Sequence, residues 1–161
     1  MPSSDLTVAQ SELEAFLASR SGAVLGTRGE DGFPELSVAP FVREEDMFAM
    51  FLSDLAPHTR NLRREPRVEV LLLDDEAETR QPFARQRVSL SCSVEEVAPD
   101  TARSEAMFAL MERRFGGMVP LLRGLPDFHL FLLKPYGGRY VAGFGKAYRL
   151  EGLSIAEHLR A

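Results

Sequence analysis

The segment from residue 87 to residue 95 alternates polar and apolar side chains without interruption. Its two alternating sets are Arg87, Ser89, Ser91, Ser93 and Glu95, and Val88, Leu90, Cys92 and Val94. A period of two predicts a β-strand that buries one face and leaves the other polar. Because a single strand is not stable alone, this pattern predicts a chain built around a sheet.

The other elements predicted from the sequence are mostly strands joined by short turns. Strands are predicted over residues 23–27, 36–42, 47–52, 68–73, 128–133 and 139–148, with a turn at 135–138 joining the last two. The apolar run 68–73 predicts a strand buried on both faces. Helices are predicted from a capping box at Thr7 to Gly22, over 57–64, and from Asp100 to about Phe115. This order predicts a mainly β protein with α-helices: an antiparallel β-barrel, closed or partly closed, in one domain spanning 1–161.

Composition limits the classes of function. The chain has 161 residues and a formal net charge of −5, which argues against general nucleic-acid binding. No apolar run approaches the roughly 20 residues of a membrane helix, and the N-terminus lacks the pattern of a signal peptide. The single cysteine, Cys92, permits no intrachain disulfide, so a cytoplasmic protein is expected. The three histidines are too widely spaced to predict a dedicated metal site.

The start of the helix at 57–64 carries the most distinctive polar residues. Pro57 suits a first helical turn, and His58, Thr59 and Asn61 follow it. Four arginines lie close behind, at positions 60, 63, 64 and 67. Free N–H groups, polar side chains and guanidinium charge are suited to binding a phosphate. Arginines at a helix end are equally compatible with simple solvation, and the residues alone leave both interpretations open.

Several segments resemble the FMN-binding split barrels related to pyridoxamine 5′-phosphate oxidase, and in particular their haem-utilisation (HugZ-type) branch. The segments that carry the resemblance are 31–40, 58–62, 65–68, 87–90 and 142–147, of which the H-T-x-N-L element and the G-F-G-[KR]-A ending are the most specific pair. They occur in order between about residue 22 and residue 150, without large gaps. The resemblance therefore covers most of the chain.

The resemblance implies a split antiparallel β-barrel with flanking helices that forms a homodimer and binds FMN at the subunit interface. It also implies a set of cofactor-binding residues. They are Ser37, Val38, Ala39 and Pro40 along the flavin, Phe51, Leu52 and Ser53 facing the same ligand, His58, Thr59 and Asn61 near the phosphate, and Arg87 on a later strand. The implied activity is that of an FMN-dependent oxidoreductase acting on a small molecule of unknown identity.

Three positions depart from the oxidase pattern. His58 replaces a phosphate-binding lysine, Ser37 replaces an arginine and Val42 replaces a second lysine. A neutral imidazole offers one N–H where lysine offers a full charge, so phosphate binding is expected to be weaker or to depend on Arg60 or on an arginine of the partner subunit. The alternative function is a haem-binding or haem-degrading protein on the same fold.

Two further histidines have competing interpretations. His129 lies within a predicted strand and is expected to be a partly buried residue with hydrogen-bonding partners. His158 falls in a predicted terminal helical turn. Some members of the haem-utilisation branch bind iron through a histidine near the C-terminus, which makes His158 either a candidate haem ligand or a solvated side chain.

Overall fold

The computed structural model describes residues 4–161, and within them nine strands form one antiparallel sheet. The elements are α1 (Ser4–Ser19), β1 (Gly22–Arg28), β2 (Pro34–Pro40), β3 (Val42–Glu44), β4 (Met47–Ser53), α2 (Pro57–Arg64), β5 (Arg67–Leu73), β6 (Arg87–Val97), α3 (Ala102–Phe115), α4 (Met118–Arg123), β7 (Phe128–Gly143), β8 (Lys146–Glu151) and β9 (Ser154–Leu159). The strand order is β2-β1-β5-β6-β7-β4-β3, with β8 on β7 and β9 on β8. The predicted split-barrel class is confirmed, and the sheet is not closed, because β2 and β3 remain its two edges.

The alternating strand β6 behaves as its sequence predicts. Val88, Leu90 and Cys92 are buried, whereas Arg87 and its polar neighbours lie on the other face. The buried side packs into the main core, which also takes the apolar face of α1. A second apolar cluster lies on the opposite side of β4 and β7, beneath α3 and α4. The sheet therefore buries both of its faces where the helices cover it, and its outer face near β2 stays open.

Strand β7 runs through the predicted turn at 135–138, so that prediction is wrong. Ser91 of β6 pairs with Gly137, but the next residue, Cys92, pairs with Pro135. Tyr136 is therefore an extra residue on β7, and a β-bulge accommodates it. A bulge also tolerates the missing N–H of proline, which explains why Pro135 does not end the strand.

The ends of several elements differ from their predictions. Thr7 lies inside α1 and does not cap it, and Gly22 is the first residue of β1. Thr101 is the N-cap of α3 and shares a capping box with Ser104, whereas Asp100 precedes it with a positive φ of 62°. Caps depend on local backbone angles that the sequence pattern does not determine.

Three other predictions need correction. Strand β5 alternates between buried and accessible residues, and Glu69 on its accessible face is exposed, so the strand is not buried on both faces. The predicted helical turn around His158 is strand β9, which pairs with β8. Helix α4 was not predicted, and its Pro120 lies in the first turn, which tolerates a proline.

The close pairing of β6 and β7 gives a test of the fold. A Cβ added to Gly138 would lie 2.2 Å from the main-chain oxygen of Ser89. Because the atom it would meet belongs to the backbone of a paired strand and cannot move aside, we expect Gly138→Ala to lower the free energy of unfolding by roughly 1–3 kcal/mol, as overpacking does elsewhere.

Urea unfolding of the two proteins measures this difference. Gly143→Ala is the matched control, because an added Cβ there meets no atom within 4 Å. Equal stability of Gly138→Ala and the wild type would show that the two strands are not packed as closely as described.

Candidate functional site

Helix α2 begins at Pro57, as predicted, and its first polar side chains point into the protein. His58, Thr59 and Asn61 are all buried. The Nδ1 atom of His58 is hydrogen-bonded to the hydroxyl of Ser37 at 2.8 Å, and the Thr59 hydroxyl donates to the main-chain oxygen of Ser53. These two bonds join the start of α2 to β2 and to the end of β4.

Asn61 uses its whole side-chain amide inside the protein. Its Nδ2 donates to the Thr27 hydroxyl at 3.0 Å and to a carboxylate oxygen of Glu35 at 3.2 Å. Its Oδ1 accepts from the Arg64 guanidinium at 2.9 Å. The amide thus connects α2 to the β1–β2 hairpin. Buried polar groups whose hydrogen bonds are all made in this way help to fix the fold.

The first turn of α2 carries one cationic side chain. Burial lowers the pKa of His58 below its ordinary value, so the imidazole is neutral at neutral pH. Among the described residues, Arg60 is exposed and has no ion-pair partner, and it is the one arginine of the first helical turn. The phosphate role of His58, Thr59 and Asn61 stays a prediction, since the bonds described above are internal to the chain.

The strand predicted to lie along the cofactor borders a cavity of about 560 Å³, here called the β2 cavity. Its apolar walls come from β1, β2 and the end of α3, and its charged rim comes from the end of α1 and the β5–β6 loop. The residues concerned are Ala23, Val24, Val38, Ala39, Pro40 and Phe115 on the walls, and Arg20, Asp74, Asp75 and Arg85 on the rim. Three of the four predicted strand residues therefore line one cavity, and Ser37 instead contacts His58.

The predicted residues at the end of β4 do not share that cavity. Phe51 lines a separate groove of about 480 Å³ with Phe108 and Phe128, here called the Phe51 groove. The side chain of Leu52 is buried in the main core. Ser53 donates to a carboxylate oxygen of Asp127 at 2.9 Å. The structure thus places these three neighbours in three different environments.

Arg87 is partly buried on the outer side of β6, beside the β2 cavity. Its Nη1 donates to the main-chain oxygen of Arg85 at 2.8 Å. Arg85 itself lines the cavity, and its Nε donates to the main-chain oxygen of Asp74 at 2.7 Å. Arg85 and Arg20 are absent from the residues predicted from the sequence. Only the spacing of Arg85 and Arg87, two residues apart, would have suggested that both lie near the same surface.

His129 has partners, as predicted. Its Nε2 donates to Asp54 at 2.8 Å, and its Nδ1 lies 3.7 Å from a carboxylate oxygen of Glu96. Arg63 binds both of these carboxylates. The hydrogen bond from His129 and then that from Arg63 hold the pKa of Asp54 below its usual value. His129 is therefore part of a charged network that joins four elements.

His158 and Cys92 lie away from the β2 cavity. The His158 ring stacks on Tyr148 with the ring centroids 4.9 Å apart, and its Nε2 donates to the main-chain oxygen of Gly145 at 2.7 Å. Burial raises the pKa of the Cys92 thiol to about 12, so the thiol stays protonated and unreactive. Within residues 4–161, no cluster of three or more His, Cys, Asp or Glu side chains is arranged to hold a metal ion.

Comparison with known proteins agrees with the sheet topology. The family model described as pyridoxamine 5′-phosphate oxidase matches residues 9–142, which is most of the chain. The chain belongs to this family. It is 36% identical over 146 residues to the heme oxygenase HutZ of Vibrio cholerae, covering 91% of this chain and 83% of that protein.

Solved structures give the same neighbours. The crystal structure of HutZ, there described as a heme storage protein, superposes with a TM-score of 0.74 at 34% identity, covering 78% of this chain and 88% of HutZ. Campylobacter jejuni ChuZ gives 0.86 at 27% identity, covering 95% of this chain and 63% of ChuZ. A heme binding protein from Mycobacterium smegmatis gives 0.78 at 25% identity, covering 96% and 60%. The resemblance to the haem-utilisation branch is confirmed.

The described part of the chain contains no helix that is both long and apolar enough to cross a bilayer.

The buried imidazole of His58 gives a pH-dependent prediction. Its pKa in the folded protein is lowered from the ordinary 6.5, so the unfolded chain binds the proton more tightly. The stability that His58 contributes is complete above pH 6.5 and is lost as the pH falls toward the folded pKa. We expect the free energy of unfolding to fall more steeply on acidification in wild type than in His58→Gln.

Urea unfolding at several pH values between about 7.5 and 5 measures the two slopes. His158→Gln serves as the control, because it makes the same substitution at a histidine that lies on β9, away from α2. Parallel slopes for wild type and His58→Gln would mean that the imidazole titrates as it does in water.

Proposed function

We propose that this protein binds haem in the β2 cavity and functions in haem utilisation. The observation that carries the proposal is the 36% identity with the heme oxygenase HutZ over 91% of the chain. Two features of the site support it. The first is the set of residues that line the β2 cavity, and the second is that the side chains predicted to bind an FMN phosphate are hydrogen-bonded within the chain.

The β2 cavity fits the ring and the carboxylates of haem, whereas none of its lining residues is a His, Cys, Met or Tyr that could bind the iron. A haem has a flat apolar ring and two propionate carboxylates at one edge. The cavity offers apolar walls from Val24, Val38 and Pro40. Its rim carries two guanidinium groups and two carboxylates, and Arg20 is the arginine that pairs with both carboxylates. Its volume of about 560 Å³ is within the usual range of small-molecule sites. Strand β2 would contact the ring, and Arg87 beside the rim would contact the ligand as the resemblance implies.

The positions expected to bind an FMN phosphate fit that group poorly. A phosphate is a strong multiple acceptor that is usually held by charged donors. Here His58 is neutral, and the polar atoms of Thr59 and Asn61 already bond within the chain. A haem has no phosphate, so its binding does not require free donors or positive charge at His58, Thr59 and Asn61. This contrast favours haem over FMN.

An FMN-dependent oxidoreductase is the second candidate. Its support is the family model, which matches residues 9–142, together with the strand 38–40 that borders the cavity. In that case Arg60, which has no partner among the described residues, supplies the missing positive charge for the phosphate. A bound flavin would carry the redox chemistry, and the chain would orient it and limit solvent access.

The functional unit that we propose is a homodimer in the cytoplasm with the ligand between subunits. Leu36 and Val38 lie on the outer face of the edge strand β2, and their side chains are 78% and 74% exposed. Phe33 at the start of the hairpin is also exposed. Adjacent exposed apolar residues beside a ligand cavity are typical of a surface that a second protein copy covers.

Parallel titrations with haem and with FMN test the function. We expect the purified protein to bind one haem per chain, with an intense band near about 400 nm, and to bind FMN at least tenfold more weakly. Arg87→Ala should weaken haem binding by about 5–20-fold, because a hydrogen bond from a charged group is lost. Arg80→Ala is the control, since Arg80 is exposed and lines neither cavity.

Tight FMN binding without haem binding would replace the first candidate by the second. Adding a reductant and oxygen to the haem complex then separates two kinds of haem protein. Loss of the haem band indicates degradation, and a stable band indicates storage.

Sedimentation tests the dimer. Wild type is expected to sediment at about twice the 17.9 kDa of one chain, and Val38→Asp should dissociate, because a charge would be buried in an apolar interface. Val8→Asp is the control, as Val8 is exposed on α1, beside β8 and β9. A wild type that stays monomeric at micromolar concentration contradicts the dimer.

A further inference from the structure

Arg85 lines the β2 cavity with much of its guanidinium unused. Its Nε donates to the main-chain oxygen of Asp74, and within residues 4–161 its two Nη atoms make no hydrogen bond and no ion pair. The carboxylates of Asp74 and Asp75 line the same cavity, where Arg20 pairs with them. A guanidinium held at Nε leaves its Nη groups free to bind an anion in a fixed direction.

The loop that carries Arg85 is held from both sides. The main-chain N–H of Asp74 donates to the oxygen of Gln86 at 2.9 Å, which closes the base of the loop. The side-chain amide of Gln86 donates to the buried hydroxyl of Tyr140 at 2.7 Å. Gln86 is thus anchored in the core while Arg85, its neighbour, lines the cavity. The position of Arg85 is therefore set before any ligand arrives.

The other arginines near the cavity are less available. Arg20 lies 3.4 Å from a carboxylate oxygen of Asp75 and 3.8 Å from one of Asp74. Arg87 donates to the main-chain oxygen of Arg85 and is not in the wall of the cavity. Arg85 is the cavity-lining cation without a carboxylate partner among residues 4–161. A charge that is partly removed from water and unpaired in the protein is well suited to pairing with a charged ligand.

We propose that Arg85 binds a carboxylate of the ligand in the β2 cavity, so that the site selects flat apolar molecules carrying a carboxylate edge. With the proposed function, on which this inference rests, the carboxylate is a propionate of haem. The apolar walls would bind the ring whether or not its carboxylates are free. Arg85 would make the site bind the ligand with free carboxylates more tightly than the ligand in which they are masked.

Haem and haem dimethyl ester, in which both carboxylates are masked, distinguish these contributions. We expect wild type to bind haem about tenfold more tightly than the ester. In Arg85→Gln the affinity for haem should fall by about tenfold, while the affinity for the ester is unchanged. Arg85→Lys should recover part of the preference, and Arg80→Gln, on the same loop but outside the cavity, should retain all of it.

Unchanged ester binding in Arg85→Gln also shows that the cavity is still formed. Equal affinity of wild type for haem and ester would overturn the inference and leave the proposed function standing. The same holds if Arg85→Gln and Arg85→Lys weaken both ligands equally, since the residue would then only support the loop. A wild type that binds neither ligand overturns the proposed function and the role of Arg85 together.

Discussion

Buried hydrogen bonds at the start of α2 hold together the two sides of an incompletely closed sheet. The strand order ends at β2 on one side and at β3 on the other, with β4 next to it, so no strand pairing connects these edges, although the chain passes from β2 to β3 through Phe41. Helix α2 makes the connection instead: His58 bonds to Ser37 on β2, and Thr59 bonds to Ser53 at the end of β4. Each bond satisfies a polar group removed from water, so loss of one partner costs more than the bond itself contributes.

The same bonds bear on the ligand that we propose. The side chains of Thr59 and Asn61, predicted to lie near an FMN phosphate, bond within the chain, and burial keeps His58 neutral. Two arginines line the β2 cavity: Arg20 after α1 and Arg85 on the loop between β5 and β6. Membership of the family therefore fixes the fold without fixing the ligand. The cavity has apolar walls, and Arg85 on its rim is not paired with a carboxylate among the described residues. We therefore propose a flat ring with carboxylates as its ligand, in agreement with relatives named for heme.

Much of the fold could be predicted from the sequence, because its signals are local. The alternation in β6 and the proline at the start of α2 each determine their element within a few residues. The continuity of β7 could not be predicted, since the bulge at Tyr136 depends on the register with β6. Strand β9 could not be predicted for a similar reason, because its six residues form a strand only through pairing with β8.

The candidate site was predictable in part. The segment 37–40 was found through resemblance, and three of its residues line the cavity. The inward direction of Thr59 could not be predicted, because a hydroxyl at a helix start is equally able to face a ligand. Arg85 was missed because it lies in a loop, where the direction of a side chain depends on tertiary contacts and not on periodicity. Resemblance thus identified the elements, and only the packed structure showed which side chains remain available.

Iron-edge anomalous diffraction from crystals of the haem complex tests the central claim most directly, because it locates the iron without any assumption about the ligand's partners. We expect an anomalous peak at the β2 cavity, beside Val38 and Pro40, with ring density against β2 and a propionate at Arg85. A peak in the Phe51 groove, or a complex in which the β2 cavity holds no porphyrin density, would contradict the placement of the ligand and the function built on it.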